Sequence, residues 1–307
     1  MRRGAVWVIA GAAILAVIVV AAVGVWPDDA QPGARRNDTM MSVSPPPPGA
    51  LTVVAAGDIC PHEPDPCVRT ADLVSRLQPD AVLALGDNQY DDGTIEQYLS
   101  SYDRAWGRFA AITYPVAGNH EWHTPGAEGF LTYFDRSSHW YTFTIRGWRF
   151  YALDGTCDEN GGCAPGDEQY RWLQSQLAGR DDRCILAYWH QPRFSSGIEH
   201  GSDDEVAPLW RLLDDAGGDL VLSGHEHNYE RFAGQDVDGQ ADPEGMVQIV
   251  AGTGGTPSGY DFGDPLPNSE VRLGGSGVVE LDLHEDGWVA RFIRPSGEVS
   301  DQADGSC

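Results

Sequence analysis

Lysine is absent: all 20 basic residues are arginine, against 46 aspartates and glutamates, for a formal net charge of −26. A chain this acidic repels a phosphate backbone, so DNA and RNA are not expected as partners. The same charge suits a protein facing solvent or salt. No G-x-S-x-G turn occurs, and Ser223 in "LSGHEH" lacks the setting of a catalytic triad, so a serine nucleophile is not indicated. The close cysteine pairs of a zinc knuckle are missing as well. No internal repeat is present, and the folded part reads as one domain.

A long apolar run occurs at the start, "MRRGAVWVIAGAAILAVIVVAAVGVWP". Arg2 and Arg3 precede an uncharged stretch from Gly4 to Pro27 that is long enough to span a hydrocarbon core as a helix. Positive charge stays in the cytoplasm, so residues 1–27 are expected to anchor the chain with its bulk outside. A cleaved signal segment is the alternative, although no clean A-x-A site appears and no cysteine follows to carry a lipid. Either way the main body is exported, anchored at the cell surface or secreted, and the membrane is met through this segment alone. Residues 28–50, with four consecutive prolines, read as an extended tether, and folded structure is expected from Leu51 onward.

Six cysteines fit an oxidising compartment. Cys60 and Cys67 bracket a Pro-rich loop, and Cys157 and Cys163 bracket "DENGG". Both spacings allow local disulfides. Cys184 and Cys307 pair only by elimination.

Continuous apolar runs suit strands buried on both faces, and several end in residues able to do chemistry. "LTVVAAGD" ends in Asp58, "AVLALGD" in Asp87, "ITYPVAGNH" in Asn119 and His120, "CILAYWH" in His190, and "DLVLSGHEH" in His225 and His227. Helical patterns lie between them: "CVRTADLVSRLQ", "DEQYRWLQSQLAG" and "DDEVAPLWRLLDDAG". Strand–helix alternation predicts an α/β domain whose ligand site lies where strand C-termini meet. The tail, "MVQIVAGTGG", "SGVVELDL" and "WVARFIR", reads as antiparallel strands completing a second sheet.

The stretch "GDNQYDDG" adds Tyr90 three positions after Asp87. Taken alone, Asn, Asp and Gly make a turn and the tyrosine fills a gap. Taken with the other strand ends, the set Asp58, Asp87, Tyr90, Asn119, His190, His225 and His227 has the chemistry of two adjacent metal ions. Carboxylate, amide oxygen, phenolate and imidazole suit iron, zinc or manganese. Two such ions can clamp a phosphate and turn a water into hydroxide, which is the hydrolysis of a phosphate ester.

The order "GD…GDNQY…GNHE…WH…GHEHNYER" resembles the calcineurin-like metallophosphoesterase superfamily, and within it the purple acid phosphatases. The likeness runs from Gly57 to Arg231, and "AGTGG" is similar to a further glycine turn of that group. It implies a layered α/β/β/α sandwich of two mixed sheets flanked by helices, with residues 51–307 as the catalytic domain. It implies a ferric ion on Asp58, Asp87, Tyr90 and His227. A second iron, zinc or manganese ion would sit on Asp87, Asn119, His190 and His225, with Asp87 as the bridge. His120 would protonate the leaving alcohol, and His200 would lie near the phosphate. His123 is a weaker candidate for the same rim, with an ordinary loop histidine as its alternative. Glu226 is expected either in solvent or behind the ligands, with Tyr229, Glu230 and Arg231 supporting the histidine loop.

The activity so implied is an exported phosphatase acting on small phosphate monoesters by attack of metal-bound hydroxide. A phosphodiesterase or nucleotidase on the same centre is the alternative, and a surface binding module that has lost its chemistry is a third. Two departures stand out. The first motif is "GDIC", leaving Cys60 as either a thiolate ligand or the disulfide partner of Cys67. Plant enzymes of the group carry an extra β domain before the catalytic one, whereas here the residues just before Leu51 are expected to be a tether.

Overall fold

The computed structural model describes residues 49–61, 65–180, 182–256 and 260–307. The expected anchor and nearly all of the tether lie outside them. Among the described residues no helix is long and apolar enough to cross a membrane.

In chain order the strands are β1 (Leu51–Ala56), β2 (Ala81–Leu85), β3 (Thr113–Val116), β4 (Tyr141–Ile145), β5 (Trp148–Ala152), β6 (Cys184–Tyr188) and β7 (Leu220–Ser223). They continue with β8 (Tyr229–Phe232), β9 (Val247–Ala251), β10 (Ser269–Leu273), β11 (Val278–His284), β12 (Gly287–Ile293) and β13 (Val299–Ser306). Among the described residues one sheet runs β13-β12-β11-β1-β2-β3 and the other β10-β8-β9-β7-β6-β5-β4. Within them β1, β2 and β3 are mutually parallel, as are β5, β6, β7 and β9.

The apolar runs produce this layering because both faces of the strands are covered. In β1, Leu51, Val53 and Ala55 pack between the two sheets with Leu186, Leu222 and Ile249. Val54 and Ala56 face the other way, against Ala71 and Val74 of helix Asp65–Leu77 and against Trp106. In β6, Leu186 and Tyr188 join the inter-sheet core, while Ile185 and Ala187 pack with Leu173, Leu209 and Trp210. Those last three lie on helices Glu168–Leu177 and Ala207–Asp215. Each such large apolar side chain contributes about 1.5–3 kcal/mol on burial. Helices, sheet, sheet and helices make the expected four layers.

The tail differs from the sequence reading. "MVQIVAG" supplies β9, which pairs parallel to β7 in the second sheet. "SGVVELDL" and "WVARFIR" supply β11 and β12, which instead extend the first sheet antiparallel from β1. The reason is the free edge of β1. Its unpaired backbone groups need a partner, and antiparallel addition of β11 satisfies them while burying Val279, Leu281 and Leu283.

All three disulfides form as paired above: Cys60–Cys67, Cys157–Cys163 and Cys184–Cys307. The last spans 123 residues and fastens the end of β13 to β6, joining the two sheets covalently. Closing so long a loop stabilises by about 2–4 kcal/mol. Cys60 is consumed in its bridge, which removes the thiolate-ligand alternative.

Candidate metal centre

Parallel strands end on the same side, and the turns that follow β1, β2, β3, β6 and β7 carry every residue of the expected ligand set except Tyr90 and His227, which lie slightly farther along two of these loops. Three of the seven have left-handed backbone: Asp58 (φ 57°), Asp87 (φ 46°) and His225 (φ 73°). Non-glycine residues adopt this region at a cost of about 1–2 kcal/mol each. Here the loops hold one another in it. Asp58 N–H donates to the Gly86 carbonyl at 3.0 Å, Ile59 N–H to the Asp87 carbonyl at 2.9 Å, and His225 N–H to Asp58 Oδ2 at 2.8 Å. Two glycines permit the approach. A Cβ on Gly86 would fall 2.6 Å from His190 Nδ1, and one on Gly224 would fall 2.6 Å from Asp58 Oδ2.

Two groups of side-chain atoms meet at a single carboxylate. In the first, the Tyr90 hydroxyl lies 2.7 Å from Asp58 Oδ1, 3.1 Å from Asp87 Oδ2 and 3.2 Å from His227 Nε2. In the second, His190 Nε2 lies 3.2 Å from Asp87 Oδ2 and 3.2 Å from His225 Nδ1. One ligand atom each from Asp87, His190 and His225 falls within 4.8 Å of the other two. His190 Nδ1–H donates to the Leu85 carbonyl at 2.9 Å, which turns Nε2 toward the centre. Asn119 Oδ1 is buried with no hydrogen-bond donor among the described residues. An amide oxygen left without a donor fits a cation, as does the oxygen and nitrogen character of the whole set.

The charges agree. Burial pulls the Asp58 and Asp87 carboxyls upward, but His227 and His190 outweigh it and hold both below the usual carboxylate range. Burial lowers His190, yet Asp87 overcomes this and pushes it up to about 10. Burial also lowers His225, and there His190 and His200 add to the effect, bringing it down to about 3 and leaving the ring neutral with a lone pair to offer. The Tyr90 hydroxyl is raised well above its ordinary value by burial and then by the two carboxylates. A bound cation reverses that balance, because it favours the phenolate.

His120 and His123 sit at the edge of this cluster. His120 N–H donates to Asp87 Oδ1 at 2.9 Å, and its Nε2 lies 3.9 Å from Asp87 Oδ2. Its Nδ1 lies 2.5 Å from the Asp91 carbonyl, to which it donates. His123 shares that carbonyl at 3.0 Å and is exposed. His200 is exposed on the opposite side, its ring stacked on His225 with centroids 4.0 Å apart.

Six further residues support the centre. Glu121 is fully buried: Oε1 accepts from Asn88 N–H (2.9 Å), Gln89 N–H (3.2 Å) and the Tyr98 hydroxyl (2.9 Å), and Oε2 from Gly118 N–H (2.7 Å). It thereby fastens the Asp87 loop to the Asn119 loop. Glu226 is buried rather than solvated, and its Oε1 accepts from the backbone N–H groups of His200 and Gly201 at 2.8 and 2.7 Å. Glu230 likewise accepts from Ser196 N–H at 2.7 Å, and Tyr229 and Arg231 both bind Asp301. Tyr260, which no motif marked, stacks on His227 with ring centroids 4.1 Å apart.

Comparison with known proteins places this geometry. Purple acid phosphatase 22 of Arabidopsis thaliana is 28% identical over 221 residues, covering 61% of this chain and 49% of its own. Purple acid phosphatase 21 of the same plant is 29% identical over 265 residues, 77% of this chain and 57% of its own. The chain thus spans about half the length of the curated relatives it matches. The solved structure of a purple acid phosphatase from yellow lupin (Lupinus luteus) seeds superposes with a TM-score of 0.66 at 19% identity, over 86% of this chain and 55% of that one, so it shares the fold. The profile of the calcineurin-like phosphoesterases matches residues 51–229, more than half of the chain and every strand-end motif described above, and the protein therefore belongs to the calcineurin-like phosphoesterase family.

Proposed function

We propose that this protein is an exported phosphatase with a dinuclear metal centre, releasing phosphate from small monoesters. One ion, ferric iron, is held by Asp58, Asp87, Tyr90 and His227. The other, iron, zinc or manganese, is held by Asp87, Asn119, His190 and His225. The observation that carries the reading is the position of Asp87 Oδ2, close to both the Tyr90 hydroxyl and His190 Nε2, as a bridge requires. The three disulfides support export.

When bound, the metal ions supply neutralising charge for the phosphoryl oxygens and acidify the attacking water. The chain's own residues do the rest. The water oxygen bonds to phosphorus as the bond to the alcohol oxygen breaks, and that oxygen keeps the electron pair. His120 is placed to donate the proton it then needs. Its Nδ1–H is tied to the Asp91 carbonyl, so Nε2 is the nitrogen that gives the proton up. His200, held over the centre by Glu226, helps to orient the phosphate.

The reading is tested by hydrolysis of p-nitrophenyl phosphate and bis(p-nitrophenyl) phosphate by metal-loaded protein. The expected result is a kcat/KM at least about tenfold higher for the monoester, or about 1.4 kcal/mol of discrimination. Preference for the diester would support a phosphodiesterase instead. Loss of both activities across a wide pH range would leave a binding module.

A further inference from the structure

The three histidines of the expected ligand set are oriented in two different ways. His190 is turned by a hydrogen bond, its Nδ1–H donating to the Leu85 carbonyl at 2.9 Å. His227 presents Nε2 to Asp58 Oδ1 and to the Tyr90 hydroxyl, both at 3.2 Å, and its Nδ1 has no hydrogen-bond partner among the described residues. His225, whose Nδ1 faces His190, likewise has no partner at Nε2 among them. A ligand histidine is ordinarily fixed by a bond from its other ring nitrogen, and without one the ring is free to turn.

These two rings are instead each covered by a second ring. His200 lies on His225, with centroids 4.0 Å apart and planes at 27°, and Tyr260 lies on His227 at 4.1 Å and 9°. His190, which has its hydrogen bond, meets His225 edge-on at 70° and has no parallel ring among the described residues. Tyr260 is itself held in place. Its ring meets that of His200 at 5.4 Å and 67°. The chain just after it is joined to the His200 loop, because Ile198 N–H donates to the Asp261 carbonyl at 3.1 Å and Gly263 N–H to the Ser196 carbonyl at 2.8 Å. A nearly parallel ring this close resists tilting of the imidazole. Its electron-rich face also favours an imidazole that shares the charge of a cation.

We propose that Tyr260 is a positioning residue of the metal centre: its stacked ring does for His227 what the Leu85 carbonyl does for His190, and so retains the ion on the Tyr90 side. This rests on the metal-centre reading for the identity of the ion, but its test needs no turnover.

The tyrosinate-to-iron band reports that ion alone, so its decay in excess EDTA measures how firmly the ion is held. In Tyr260→Leu the decay is expected to be about tenfold faster or more, and in Tyr260→Phe, which keeps the ring and loses the hydroxyl, within about threefold of wild type. Metal-free Tyr260→Leu and metal-free wild type should unfold at about the same temperature. A lower unfolding temperature in that variant with unchanged decay would mean that Tyr260 only packs its loop, which overturns the proposal. Equal acceleration in both variants overturns it too, since the stacked ring would then not be the cause. Wild-type protein without iron and without the band overturns the metal-centre reading and this proposal together. A band that Tyr260→Leu loses faster, in a protein that cleaves no phosphoester, supports the role of Tyr260 and overturns the phosphatase reading alone.

Discussion

Asp87→Asn is expected to lower phosphatase kcat/KM by about 10³-fold or more and to drop bound metal from two ions per chain to less than one. The substitution is chosen because it changes charge and little else. Asparagine keeps an oxygen to accept from His120 N–H, which now lies 2.9 Å from Asp87 Oδ1, so the turn after β3 stays in place. What disappears is the negative charge at Oδ2, the atom that faces Tyr90 on one side and His190 on the other. Two cations a few ångströms apart repel strongly, and an amide oxygen shared between them neutralises none of that repulsion. The metal-free variant should unfold at a lower temperature than metal-free wild type, because it removes the buried carboxylate paired with His190 at 3.2 Å. Full metal content with full activity in this variant would remove Asp87 from the centre.

His120→Asn is expected to separate substrates by their leaving groups. For an alkyl phosphate, whose alkoxide needs a proton to depart, kcat should fall by about 10²–10⁴-fold. For p-nitrophenyl phosphate, whose phenolate departs unprotonated, the loss should stay within about tenfold. Metal content should not change, since the contact of His120 with Asp87 Oδ1 is made by the backbone N–H and survives the exchange. A uniform loss for both esters, accompanied by loss of metal, would mean that His120 positions the Asp87 loop and transfers no proton.

The residues now grouped around Asp87 were legible in the sequence for a physical reason. All but Tyr90 end a continuous apolar run, and a strand buried on both faces must finish in a turn at the sheet edge, so polar residues at five such ends converge without any knowledge of strand order. Strand order itself was not legible. "SGVVELDL" has the right pattern for either sheet, and only the open edge of β1 decides that it joins the first. Cys184 and Cys307 stand 123 residues apart, a distance at which spacing carries no geometric information. Glu121 carries no mark of its own in the sequence, and Glu226 reads equally as solvated or as lying behind the ligands, because residue type says nothing of burial. Their worth lies in the backbone N–H groups they collect from neighbouring loops, and those exist only once the loops are assembled. Tyr260 carries no motif at all; its place follows from a ring stacked on His227.

Tyr90 gives the centre its most direct test, because a phenolate on ferric iron absorbs visible light and no other residue of the set would produce that band. The measurement is metal analysis with a visible spectrum of the purified protein, next to Tyr90→Phe. Two metal ions per chain are expected, at least one of them iron, with a tyrosinate-to-iron band that the Tyr90→Phe variant loses. Protein without iron and without the band, or a band that persists in Tyr90→Phe, would contradict it.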